Sequence, residues 1–83
     1  FLTGIKIIGL DDVGVVSMIT NLISAELKIN ISALTIEAKE GLFQGNIHLY
    51  VHDKDELEKL VQALLNLPGV ESVERYDMED IPG

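Results

Sequence analysis

The 83-residue chain contains no cysteine and no tryptophan, and only six lysines and arginines stand against fourteen aspartates and glutamates. Without cysteine there is no disulfide framework, no thiolate metal site and no thiol nucleophile. The formal net charge of -8 argues against nucleic acid and anionic membrane as direct partners, because phosphate polymers bind chiefly through lysine and arginine that displace counterions. No apolar run approaches the ~18 residues of a membrane span, and the N-terminus has no basic segment leading into a hydrophobic stretch. A soluble, cytoplasmic domain is the expectation.

What is present is a 47% hydrophobic composition in a length that suits one small domain. At this size apolar burial, at ~25 cal/mol per Å², nearly cancels chain ordering at ~1.5 kcal/mol per residue. A stabilising partner surface, such as a second copy of the chain, is therefore expected from the start. The chain begins at Phe1 and enters an apolar run within a few residues. It reads as a single domain, residues 1–83, cut from a longer protein, with an ordered core of about 3–77 and an acidic tail, 78–83.

Phe1 to Leu10 sets Ile5, Ile7 and Ile8 between Gly4 and Gly9, a β-branched run too short for a helix. Asp12 can cap a following helix in which Val15, Ile19, Leu22, Ile23 and Leu27 recur at helical spacing. From Ile29 the pattern alternates through Ile31 and Ala33, then slips phase to Leu34, Ile36 and Ala38, which predicts a bulged second strand. Lys39-Glu40-Gly41 makes the turn into a third strand with Phe43, Gly45, Ile47, Leu49 and Val51 on one face and Gln44, Asn46, His48, Tyr50 and His52 on the other.

Asp53 and Glu56 have capping-box spacing, and Leu57, Leu60, Val61, Leu64 and Leu65 then mark a second helix ending at Pro68-Gly69. Val70 to Tyr76 is the last strand. The tail, "DMEDIPG", has too little apolar content to form a packed element. The order βαββαβ predicts an α+β, ferredoxin-like sandwich: a four-stranded antiparallel sheet with two helices on one face. The opposite face, bearing Lys6, His48, Tyr50 and His52, is left open, and the sheet edges need pairing or cover.

Such a fold hosts unrelated activities, so residues must decide among them. An RNA-recognition module needs aromatics on strands one and three in basic surroundings; only Tyr50 is available on the open face of strand three, and the charge is wrong. His48 and His52 lie ~13 Å apart along a strand at ~3.3 Å per residue, too far to share a metal ion. The single arginine, Arg75, is distant from any phosphate loop, and no serine, histidine and acid grouping stands out. No catalytic residue, metal or cofactor is expected.

The remaining candidate is "LDDVGVVSMITNLIS", residues 10–24. Gly14 in the first helical turn permits close approach of a ligand or backbone, and the turn's amide groups can receive a carboxylate. Asp11, just outside the helix, can take an ammonium group. That combination suits a zwitterion such as an amino acid better than a phosphate. The plainer reading is that Asp12 is a cap and Gly14 a packing residue.

Taken together, "IIGLDDVGVVSMITNLIS", "KINIS", "GLFQGNIHLYV" and "LPGVESVER" resemble the ACT domain, a βαββαβ regulatory module. The resemblance runs from about Ile5 to Tyr76, and the "ITNLISAELKINISALTI" stretch followed by G-x-F-x-G looks most like the C-terminal ACT domain of RelA/SpoT-type (p)ppGpp synthetases and hydrolases. It implies side-by-side pairing into a homodimer, with an amino acid held between the first loop of one copy and the start of strand two of another. The implied contacts are Asp11, Asp12, Gly14, Val15, Asn30 and Ile31.

It further implies a non-catalytic domain of a GTP pyrophosphokinase that senses and oligomerises in the stringent response. Its partners are then the other domains of the parent enzyme and, through the full-length protein, the ribosome-tRNA complex. The alternatives are an amino-acid-binding allosteric domain of a biosynthetic enzyme and a ligand-free dimerisation module. Two positions depart from the family pattern. Asp12 and Val13 replace a basic residue and a proline or small polar residue, and Lys28 replaces a helix-ending glycine.

Overall fold

The computed structural model describes residues 1–77, with Asp77 described by its backbone alone; the acidic tail lies outside the described residues. The elements are β1 (Leu2–Leu10), α1 (Val13–Asn21) running into a π-helical turn (Leu22–Glu26), β2 (Asn30–Lys39), β3 (Leu42–Tyr50), α2 (Lys54–Leu65) and β4 (Val70–Asp77). The sheet is four-stranded and antiparallel in the order β2-β3-β1-β4, the expected ferredoxin-like arrangement.

The core forms where the apolar face of the sheet meets the apolar stripes of both helices. Ile5, Ile7, Phe43, Ile47 and Leu49 from the strands pack with Val15, Ile19 and Ile23 from the first helical segment and Leu57, Leu60 and Leu64 from the second. Each such side chain contributes ~1.5–3 kcal/mol on burial. The 3.6-residue spacing of the helices and the period-2 alternation of β1 and β3 both point at this one layer.

The first helix differs from a simple α-helix at its end. Thr20 Oγ1 donates to the carbonyls of Val16 (3.2 Å) and Ser17 (3.1 Å), and Ser24 Oγ donates to that of Thr20 at 2.7 Å. Hydroxyls competing for main-chain carbonyls loosen a helix, and the last turn widens so that Leu27 N–H reaches Leu22 O at 2.9 Å. Lys28 follows at φ 54, in the left-handed region, and Ile29 N–H closes onto Ile23 O at 2.9 Å.

Two expectations about the strands are corrected. The phase slip in β2 falls between Ile31 and Ala33, earlier than the hydrophobic pattern indicates, so Ala33 pairs with His48 on the open face. Leu34 and Ile36 then face the helix side opposite Ile47 and Gly45, yet stay 41% and 38% exposed because β2 is an edge strand that the helices do not cover. Strand three stops at Tyr50 instead of continuing through His52. The chain turns there because Asp53 caps α2 through Glu56 N–H (2.8 Å), while Glu56 reaches back to His52 N–H (3.0 Å).

On the open face, Tyr76 from β4 lies across Gly4; a Cβ on Gly4 would sit 2.4 Å from its ring. Its edge meets His48 with ring centroids 6.3 Å apart. Lys6, His48 and Tyr50 thus share this face with a second tyrosine. On the helix side Arg75 instead pairs with Glu58 of α2 at 2.7 Å, joining β4 to the helix layer.

Candidate functional site

The β1–α1 loop is fixed by three main-chain bonds, two to neighbouring turns and one within the loop. Leu10 N–H donates to Gly69 O (2.9 Å), Asp11 N–H to Gly41 O (3.0 Å) and Asp12 N–H to Leu10 O (2.8 Å). Gly69 lies between α2 and β4 and Gly41 between β2 and β3, so both neighbouring turns brace the loop. Gly69 takes φ +90, and a Cβ there would approach Val15 Cγ2 to 2.6 Å. Only glycine meets both demands without strain.

Asp12 is the N-cap of α1, extended at φ -141 and ψ 128. Its side chain accepts from Gly14 N–H at 2.8 Å, and its carbonyl accepts from Val15 (3.0 Å) and Val16 (3.3 Å). The anion seat expected at the first turn is thus filled by the chain's own carboxylate. An incoming carboxylate has to displace Asp12 or contend with its charge.

Asp11 is exposed, and its carboxylate has no hydrogen-bond or ion-pair partner among the described residues. The space beside Gly14 is open: only Asp12 Oδ1, at 3.3 Å, would meet a Cβ there. Val13 is 86% exposed on the same rim. Val15, in contrast, turns its side chain into the core.

Asn30 and Ile31 do not join this group. Asn30 pairs with Tyr50 and Ile31 with Leu49, whereas the loop follows the Leu10–Leu42 pair at the other end of the sheet. Within one chain the six sequence-derived contacts therefore fall into two clusters, Asp11, Asp12, Gly14 and Val15 at one end and Asn30 and Ile31 at the other.

The Asn30 end borders an open cleft of about 360 Å³ lined by Leu27, Ile29, Asp53, Asp55, Glu56 and Lys59. Glu56 Oε2 lies 3.0 Å from His52 Nδ1. The side-chain hydrogen bond to His52, then the bond from its main-chain N–H, lowers the Glu56 carboxyl below its ordinary range. Among the described residues no group of three histidine or acidic side chains is placed to hold a metal ion, and no helix is long and apolar enough to cross a membrane.

A family model described as the ACT domain matches residues 1–75. The chain belongs to the ACT domain family. It is similar to the ACT domain of a GTP pyrophosphokinase from Chlorobium tepidum, at 38% identity and a TM-score of 0.82 over 92% of this chain and 97% of that one. The C-terminal domain of the MgtC protein from Mycobacterium tuberculosis shares the fold at 21% identity and a TM-score of 0.76, over 95% of this chain and 88% of that one.

A homoserine dehydrogenase from Thiobacillus denitrificans shares it at 18% identity and a TM-score of 0.70, over 93% of this chain and 17% of the enzyme. No curated protein matches the chain. ACT domains are non-catalytic modules.

The loop, its cap and the glycine are legible in the sequence; two features of the structure around them are not. The exposure of Leu34 and Ile36 depends on strand order, which hydrophobic alternation does not encode. The Gly41 clamp on Asp11 is a main-chain contact between distant turns. The positive φ at Gly41 (80) and at Glu40 (54) was signalled only in part, by the glycine.

Proposed function

We propose that this ACT domain is the regulatory part of a RelA/SpoT-type GTP pyrophosphokinase and (p)ppGpp hydrolase, and that it acts by self-association and by contacts with the parent enzyme's other domains. The observation that carries the reading is the 38% identity, over nearly all of both chains, to the ACT domain of a GTP pyrophosphokinase. The open edge of β2 supports the association. A ten-residue strand with one free edge, carrying Leu34 and Ile36 exposed, leaves main-chain donors and acceptors and apolar surface that an antiparallel copy of itself can use.

The test is made on the parent chain. Deleting residues 1–83 is expected to change the ratio of (p)ppGpp synthesis to hydrolysis several-fold while both activities persist. A parent chain with neither activity, or a ratio unmoved by the deletion, overturns the reading.

A second reading has its own support in the open space beside Gly14 and in Asp11, which has no partner among the described residues: an amino acid bound between two copies, its ammonium on Asp11 and its other end at Asn30 of the partner. Asn30 can donate and accept. Saturable amide shifts at Gly14, Val15 and Asn30 on titration with pooled amino acids support this reading, and their absence removes it.

A further inference from the structure

We propose that Lys28 of a second copy is the cation that the Asp11–Asp12 loop receives, so that two chains paired along β2 are closed at each end by an intersubunit ion pair instead of a small ligand. This inference rests on the β2 pairing put forward above and goes beyond it by naming what fixes the register and what occupies the loop.

Register brings the groups together. Antiparallel pairing of two β2 strands about Thr35, with the irregularity between Ile31 and Ala33 kept in each strand, sets Asn30 of one copy against Lys39 of the other, the first and last residues of the strand. The same register sets Lys28 against Gly41. Gly41 is the residue whose carbonyl holds the Asp11 amide, at 3.0 Å. Two-fold symmetry repeats the meeting at the other end of the interface. Glu40, next to Gly41, adds a third acid there.

Within one chain these charges cannot meet. Lys28 precedes β2 at the end where Asn30 pairs with Tyr50, and Asp11 lies past the Leu10–Leu42 pair at the opposite end. The ion pairs among the described residues, His52–Glu56 and Arg75–Glu58, involve neither. Lys28 also holds a left-handed φ of 54, which a side-chain-bearing residue adopts at a cost, and it makes no side-chain hydrogen bond among the described residues that offsets this.

The loop chemistry favours a cation. The Gly14 amide that could greet a carboxylate is bonded to Asp12, and the Asp11 carboxylate beside it is exposed and has no partner among the described residues, so the loop presents net negative charge. An ammonium group from the partner neutralises it. The acid-rich loop and the lysine before β2 are thereby opposite in sign and adjacent in the pair.

The contribution is to specificity more than to affinity. Exposed ion pairs are weak and screened by salt, but sheet edges with few apolar side chains slip in register. A displacement by two residues separates each lysine from its loop and sets Asn30 against a different partner. The pair therefore selects one register.

The test is sedimentation equilibrium on the wild-type chain, Lys28→Asp, Asp11→Lys and the double exchange Asp11→Lys/Lys28→Asp, at about 50 mM and about 500 mM salt. Each single exchange is expected to raise the dimer Kd about tenfold at low salt and the double exchange to recover most of that loss, as reciprocal charge pairs do. High salt is expected to shrink the differences.

Circular dichroism checks that each variant folds; aspartate tolerates the left-handed position, and Lys28→Gln read against salt serves if Asp11→Lys does not fold. Wild-type dimers insensitive to either single exchange, or a double exchange as weak as the two singles combined, overturn the ion pair and leave β2 pairing standing. A wild-type chain monomeric at high micromolar concentration overturns β2 pairing, and the ion pair with it.

Discussion

Asp11 and Asn30 stand at opposite ends of the sheet, Asp11 just past the Leu10–Leu42 pair and Asn30 opposite Tyr50. Eight steps of an extended strand separate the two levels, roughly 27 Å at ~3.4 Å per residue. No amino acid spans that distance. Any occupant that touches both residue types must do so between copies, and an antiparallel β2 pair is the arrangement that brings one end of each strand to the other end of its partner.

The edge itself supplies the first prediction. Replacing both Leu34 and Ile36 by glutamate places like charges across the symmetry axis and removes the exposed apolar surface of β2. Both residues are more than a third exposed, so the fold is expected to survive with surface-level stability changes, within about 0.5 kcal/mol per site. Association is expected to weaken at least tenfold, about 1.4 kcal/mol. Light scattering over a concentration series checks it, and unchanged dimer mass in a folded variant places the interface elsewhere.

Most of the fold was legible because its elements carry strong local signals. The alternation of β1 and β3, the stripes of both helices and the Asp12 and Asp53 caps each follow from spacing that only one backbone geometry satisfies. The place of His52 is not legible, because apolar/polar alternation continues past Tyr50, where Asp53 and Glu56 turn the chain into α2. The two halves of the candidate site were legible as residue types but not as a place. Asn30 and Asp11 belong to different ends of the sheet, and only strand order reveals that a single chain cannot join them.

Lys28 gives a prediction of unusual sign. At φ 54 a lysine carries a left-handed penalty of ~1–2 kcal/mol that glycine does not. Part of the gain is lost to the greater freedom of glycine in the unfolded chain. Lys28→Gly is therefore expected to stabilise the isolated monomer by about 1 kcal/mol in urea denaturation at low protein concentration. Under the intersubunit ion pair the same change weakens the dimer. A variant that is both less stable as a monomer and unchanged as a dimer contradicts both arguments.

The last prediction concerns acid. Glu56 accepts from His52 Nδ1 and from His52 N–H, both at 3.0 Å, and these bonds hold its carboxyl below the ordinary value of 4.5. A carboxyl whose pKa is lower folded than unfolded contributes stability that is fully present above the unfolded value and is lost as pH falls through the folded one. Glu56→Gln keeps a hydrogen-bond acceptor but removes the ionisation. Wild type is thus expected to be the more stable around neutrality, with the gap closing as pH drops below 4.5. Denaturation midpoints measured across that range check it. A gap that stays constant into acid means that Glu56 stabilises the start of α2 through shape and hydrogen bonding alone, with no contribution from its charge.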